Sequence, residues 1–92
     1  MSLEVSLVAL FYNEEASAEN VIRDGYRILK QMGVPFEIVA IQNGSLDRTP
    51  EILARLKQEI AELRIVVIPV NRGAGYGALQ GLYSAAGEEV VG

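Results

Sequence analysis

Short apolar runs alternate with longer amphipathic stretches along the whole chain, and turn residues mark every change. Val5–Leu10 suits a buried strand. Asn13 follows as an N-cap, with Glu14 and Glu15 in a first helical turn whose dipole favours anions. The helix is expected to run to Met32, with Ala18, Ile22, Gly25, Leu29 and Met32 as its buried stripe. Gly33 stops it and Pro35 blocks its continuation. Phe36–Ile41, rich in β-branched residues, predicts a second strand, and Gln42-Asn43-Gly44-Ser45 a turn. Thr49, with Pro50 and Glu51 behind it, predicts the cap of a second helix, whose apolar face is Ile52, Leu53, Leu56, Ile60 and Leu63. Ile65–Val70 predicts a third strand, with Pro69 marking its end or an edge. A third helix is expected from about Gly75 to Ala86, built on Ala78, Leu79, Leu82 and Ala86, and Glu89–Val91 opens a fourth strand.

Such alternation with short connections specifies a parallel sheet with helical crossovers. The fold expected is α/β: a three-layer α/β/α sandwich on a Rossmann-like parallel sheet. At 92 residues the chain makes one domain, residues 1–92, and buries only about 60–65% of its unfolded surface. The chain holds neither Cys nor His, which rules out thiolate and imidazole catalysis and the metal sites they build. A net charge of −4 makes nucleic acid and anionic membranes poor partners. No stretch reaches the ~20 apolar residues of a membrane span, and no signal peptide is evident, which points to a cytoplasmic protein.

Parallel strands joined by helices bring their βα loops to one sheet edge, where ligands of open α/β sheets bind. Three loops converge there: Phe11–Asn13, Gln42–Thr49 and Asn71–Gly75. Tyr12 offers a ring for stacking on a base or sugar, and Asn13 and Glu14 offer hydrogen bonds to a base edge or ribose, unless they serve only the helix start. Asn43, at a strand tip, has the same polar reach, whereas Asp47 and Thr49 fit a structural role tying their loop to the next helix. Gly73, Gly75 and Ala78 fit a G-x-G-x-x-G/A phosphate fingerprint beside Arg72, but in the third βα unit, and equally fit close helix–strand packing.

Together, Tyr12-Asn13-Glu14, then Asn43-Gly44-Ser45-x-Asp47-x-Thr49, then Asn71-Arg72-Gly73 resemble the inverting family 2 glycosyltransferases of GT-A fold. The nearest flavour is the dolichyl- or polyprenyl-phosphate sugar transferases. In that family one strand ends near Y-N-E, a second ends in D-D-G-S-x-D-x-T, and a third leads into N-x-G and a helix. The resemblance covers Val5 to Gly92 and implies strand order 3-2-1-4, the N-terminal half of the fold. It implies that Leu10, Tyr12, Glu14, Ile41, Asn43, Asn71 and Gly73 line the site of a nucleotide diphosphate sugar, with Ser45, Asp47 and Thr49 shaping its loop. The reaction implied is inverting sugar transfer to an acceptor such as a polyprenyl phosphate.

Three positions depart from the pattern. Leu10 stands where the family has Pro, and Gln42 and Asn43 stand where it has paired aspartates. The metal-binding D-x-D that follows the family's fourth strand does not occur, Asp24 and Asp47 being the only aspartates. A divalent cation, Mg²⁺ or Mn²⁺, is therefore implied for a full enzyme and not for these residues alone, which are expected not to catalyse transfer. Any membrane contact, at the cytoplasmic face, would come from downstream segments. A short fourth strand leaves an apolar sheet edge open, which predicts a homodimer. A non-catalytic α/β binding or interaction domain is the alternative, and a dinucleotide-dependent oxidoreductase a distant third.

Overall fold

The computed structural model describes residues 3–87 and 89–91. Seven elements follow one another: β1 (Val5–Phe11), α1 (Ala18–Met32), β2 (Phe36–Asn43), α2 (Thr49–Glu59), β3 (Leu63–Ile68), α3 (Ala74–Ser84) and β4 (Glu89–Val91). The strands form one parallel sheet in the order β3-β2-β1-β4, as expected. β2 is buried along its whole length, and alternate residues feed two cores. Ile38 and Ala40 join Phe11, Ile22, Leu29, Leu53, Leu56 and Leu63 under α1 and α2. Val39 and Ile41 join Ile68, with Val8 and Val66 against them, on the face that α3 covers. A side chain buried as fully as Leu53 or Leu56 contributes about 1.5–3 kcal/mol.

The elements differ from expectation where distant contacts override local pattern. α1 begins at Ala18, not beside Asn13, and residues 15–17 form a turn. Asn13 is not its cap: it takes the left-handed conformation (φ 51°) and faces the second loop. Ala18, Ile22 and Leu29 are buried as expected, and Gly25 lies against Leu7, but Met32, the last residue of α1, is exposed. Gly33 closes α1 in the left-handed conformation (φ 70°), as expected.

In α2, Thr49 is the first helical residue rather than the cap, and Asp47 accepts its N–H at 2.9 Å. Leu53 and Leu56 are buried and Ile52 half-buried, but Ile60 is already extended and Leu63 opens β3. β3 therefore starts two residues early and ends before Pro69. Exposed ion pairs join α1 to α2: Glu19 bridges Arg23 and Arg55, and Arg23 also reaches Glu59. Each such pair is worth little on its own.

α3 lies on the sheet through glycines. Gly77 and Gly81 are buried, whereas Ala78 and Leu79 face outward and Ala86 lies beyond the helix end. The Leu82 side chain lies outside the described residues. Added Cβ atoms would overlap Leu10 at Gly77 and Val8 at Gly81, so the close approach itself fixes this face.

Polar residues close the α3 side of the sheet at the strand starts. The buried Glu37 carboxylate receives the Ser6 hydroxyl, the Ala86 N–H and the Arg64 guanidinium. Burial alone would raise its pKa, but these donors outweigh it and hold the carboxyl below the usual range. An unfolded Glu titrates near ~4.3, so this stabilisation is complete above that pH and is lost as pH falls through the lower folded value. Thermal midpoints measured from pH 7 down to 3 should therefore hold until about pH 4.5 and then decline. Glu37→Gln should show a shallower decline, and an unchanged slope would remove Glu37 as its source.

Candidate functional site

The C-terminal ends of β1, β2 and β3 carry the three expected loops to one edge. Side chains of the second loop hold the first. Asn13 N–H donates to Ser45 Oγ (2.9 Å), Glu14 N–H to Thr49 Oγ1 (2.9 Å) and Glu15 N–H to Asp47 Oδ2 (3.1 Å). In return Leu46 N–H donates to Asn13 Oδ1 at 2.8 Å. Three successive backbone donors thus find fixed acceptors, and the left-handed turn at Asn13 is held from both sides. Partial desolvation would raise the Asp47 carboxyl, but the Thr49 hydroxyl and N–H and the Glu15 N–H outweigh it and hold it below the usual carboxylate range. The structural role expected of Asp47 and Thr49 is the one they have.

The third loop is tied to the tip of β2 by the Asn43 amide. Asn43 Nδ2 donates to Asn71 Oδ1 (3.4 Å) and to the Gly73 carbonyl (3.3 Å), and its Oδ1 accepts the Arg72 N–H (3.4 Å). Asn71 Oδ1 also takes the Gly73 N–H at 2.6 Å, which closes a tight turn into α3. Beside it, Gln42 Oε1 accepts the Ser45 N–H at 2.6 Å. Gly44, at φ 68°, runs so close to the third loop that a Cβ there would overlap Asn71 N. Nothing in the local sequence marks that approach; the Asn-Gly pair signals only a turn.

The residues expected to line a ligand separate into two groups. Leu10 (36% exposed), Tyr12 (42% exposed), Glu14, Asn71 and Gly73 are presented along the edge. Ile41 is fully buried beneath α3, and Asn43, 2% exposed, has its amide engaged by the third loop. These two are therefore not presented at the surface of the edge, Ile41 because α3 covers it and Asn43 because its amide ties down the third loop. Leu10 also packs on Gly77, and Arg72 stacks over the Tyr76 ring, 5.4 Å from its centre, placing a cation at the start of α3. A ring, a carboxylate, an amide and a cation can together hold a planar polar ligand bearing an anionic tail.

An open hollow of ≈ 480 Å³ lies on the α2 flank, between Glu15, Arg48, Glu51, Ile52 and Arg55. Arg48 pairs with Glu51 and Arg55 with Glu19, so its charges are largely answered. Among the described residues no three His, Cys, Asp or Glu side chains gather into a set able to hold a metal ion. Nor is any described helix long and apolar enough to cross a membrane.

The architecture and the loop-bearing edge define a GT-A-type α/β domain, and solved structures share it. A mannosyltransferase from Pyrobaculum calidifontis, in complex with GDP-Man and Mn²⁺, superposes with a TM-score of 0.81 at 24% identity, over 98% of this chain and 26% of that one. S. aureus TarS superposes with a TM-score of 0.71 at 25% identity, over 96% of this chain and 26% of that one. The family model for glycosyl transferase family 2 matches residues 6–92, and the chain belongs to that family. An undecaprenyl-phosphate 4-deoxy-4-formamido-L-arabinose transferase of Pectobacterium carotovorum is 33% identical over 89 residues, which are 95% of this chain and 27% of the relative. An uncharacterised glycosyltransferase of Synechocystis is 29% identical over 91 residues, 99% of this chain and 29% of its own length. The chain thus spans between a quarter and a third of the length of these relatives.

Proposed function

We propose that residues 1–92 are a single domain forming the nucleotide-binding part of the donor site of an inverting glycosyltransferase. The enzyme transfers a sugar from a nucleotide diphosphate sugar to an acceptor of the polyprenyl-phosphate class. The observation that carries this is the clasp between the first two loops, which holds Tyr12 and Glu14 at the same sheet edge that carries Asn71 and Gly73. On this reading Tyr12 and Leu10 pack on the base or ribose, and Glu14 and Asn71 accept or donate hydrogen bonds to it. Ile41 and Asn43 stay buried. Arg72 and the start of α3 face the phosphates. The acceptor class follows the undecaprenyl-phosphate relatives, and the donor class the GDP-Man complex.

Among the described residues no three acidic side chains gather into a set that fits a divalent cation. On this reading Mg²⁺ or Mn²⁺ is held by the whole enzyme, as the Mn²⁺ complex of the mannosyltransferase suggests, and this chain's part is to bind and orient the nucleotide. On this reading the enzyme works at the cytoplasmic side, other segments of it make any membrane contact, and the open sheet edge takes a second copy.

A thermal-shift titration with UDP, GDP and their sugar conjugates, with and without Mn²⁺, tests this. At a hundredfold excess over Kd a ligand adds about 2.7 kcal/mol, which in a domain of this size raises Tm by on the order of 10 °C. A shift with one nucleotide that Tyr12→Ala abolishes is expected. No shift with any of them would favour the second reading, a non-catalytic binding or interaction domain. The internal engagement of the Asn43 amide, where the family resemblance has an aspartate, is what supports that second reading.

A further inference from the structure

We infer that Glu37 is a positioning residue: with Ser6 and Arg64 it forms a buried latch that grips the α3–β4 connection and so sets the register of β4 on β1. β4 is three residues long and pairs with β1 through Val5↔Glu89, Ser6↔Val90 and Leu7↔Val91. So short a ladder holds its register weakly on its own. The connection that leads into it is gripped at three successive places. The Ser84 carbonyl accepts from Arg64 Nη2, the Ala86 N–H donates to Glu37 Oε2 (2.7 Å), and the Gly87 N–H donates to Ser6 Oγ (2.7 Å).

Those three side chains come from three different strands and are wired to one another. Ser6 Oγ donates to Glu37 Oε2 at 2.5 Å, and Arg64 donates to Glu37 Oε1 from Nε (3.2 Å) and Nη2 (3.0 Å). Glu37 sits at the centre, 6% exposed, and its carboxylate accepts from all of them. The connection is pressed against β1: a Cβ at Gly87 would lie 2.6 Å from both Ser6 N and Ser6 Oγ. Because β4 runs parallel to β1, its direction is toward the edge that carries the three loops. The latch lies at the opposite end of the sheet and sets where β4 heads.

A buried carboxylate that receives several charged and neutral donors holds its partners more tightly than neutral pairs do. Releasing it should free residues 84–91 as a unit while the two cores stay closed. Amide hydrogen exchange on the intact chain tests this, and because it reads backbone protection it stands apart from the donor-site reading. Glu37→Gln keeps the side-chain shape but turns an NH₂ toward donors. Exchange over residues 84–91 should quicken about tenfold or more, with α1 and α2 unchanged. Unchanged exchange there, or equal quickening in α1 and α2, overturns the latch. If Glu37→Gln does not fold, Arg64→Gln frees the Ser84 carbonyl and one carboxylate oxygen. It should quicken exchange over residues 84–87, and Arg64→Lys, which returns the charge, should restore part of the protection. No quickening with Arg64→Gln overturns the inference equally.

Discussion

Gly44→Ala should lower the thermal midpoint about twice as far as Gly33→Ala, although both glycines hold the same backbone conformation, at φ 68° and φ 70°. In each a Cβ must enter the left-handed region, which costs about 1–2 kcal/mol. At Gly33 nothing lies within 4 Å of the new Cβ, so that strain is the whole effect. At Gly44 the Cβ would overlap Asn71 N and stand 2.7 Å from the Val70 carbonyl carbon and 3.0 Å from Asn71 Cα. These are backbone atoms and cannot rotate away. Overpacking of this kind adds about 1–3 kcal/mol, for a total of about 2–5 kcal/mol. A domain of this size loses about 4–8 °C per kcal/mol, so Gly33→Ala should lower Tm by about 5–15 °C and Gly44→Ala by 10 °C to several tens of degrees. The displaced third loop would also lose its bonds to Asn43, and nucleotide-induced stabilisation should vanish with it. Equal losses from the two variants would show that the third loop moves aside freely.

What was legible in the sequence, and what was not, follows from how far each contact reaches along the chain. β2 was readable because Phe36, Ile38, Val39, Ala40 and Ile41 are apolar and need burial on both faces of a parallel sheet. Its last two residues, Gln42 and Asn43, look like a turn, yet they stay in the ladder opposite Val67 and Ile68. The start of α1 was misplaced because Asn13-Glu14-Glu15 has the local chemistry of a helix start. The acceptors for those three N–H groups lie 32 to 35 residues away, on Ser45, Thr49 and Asp47, and no local pattern shows them.

The third helix departs from its sequence pattern for a different reason. Hydrophobic periodicity weighs side chains, so it points to Ala78 and Leu79 and gives glycine no weight. The contact that decides is the near approach of backbone to sheet at Gly77 and Gly81, which glycine makes possible by having nothing to bury. Glu37 and Arg64 carry no signal of their pairing in the sequence, because they come from two different strands, 27 residues apart, and only the register of β2 on β3 brings them together. The motif carrying the family resemblance names residues at the strand ends and loops of one edge, but it does not separate those that face outward, such as Tyr12, from the buried Ile41 and Asn43.

Asn43→Asp should destabilise the domain at pH 7 by about 1–3 kcal/mol, even though it moves this position toward the aspartate of the family pattern. The Asn43 amide is used from both ends. Its oxygen receives the Arg72 N–H, and its nitrogen donates to Asn71 Oδ1 and the Gly73 carbonyl. A carboxylate keeps the first contact and turns an oxygen toward two acceptors. Asn71 cannot answer by flipping its amide, because its oxygen already holds the Gly73 N–H at 2.6 Å. The start of α3 favours a negative charge by about 0.3–1 kcal/mol, which is smaller than the loss of two part-buried contacts. The new carboxyl should therefore have a raised pKa, since its protonated form can donate where the amide did. A group raised in the folded state stabilises below its unfolded value, near ~3.9 for Asp, and that contribution is lost as pH rises through the folded value. The stability gap between Asn43→Asp and the native chain should thus be widest at pH 7 and narrow on acidification toward pH 4. Denaturation midpoints of the two proteins, compared at each pH, measure it. Gln42→Glu is the comparison: the Gln42 oxygen already serves as an acceptor for Ser45, so a carboxylate retains that bond and the loss should be smaller. A gap that is absent, or that widens on acidification, would mean that the third loop rearranges to offer position 43 a donor. The Asn43 amide would then not be what fixes that loop to the tip of β2.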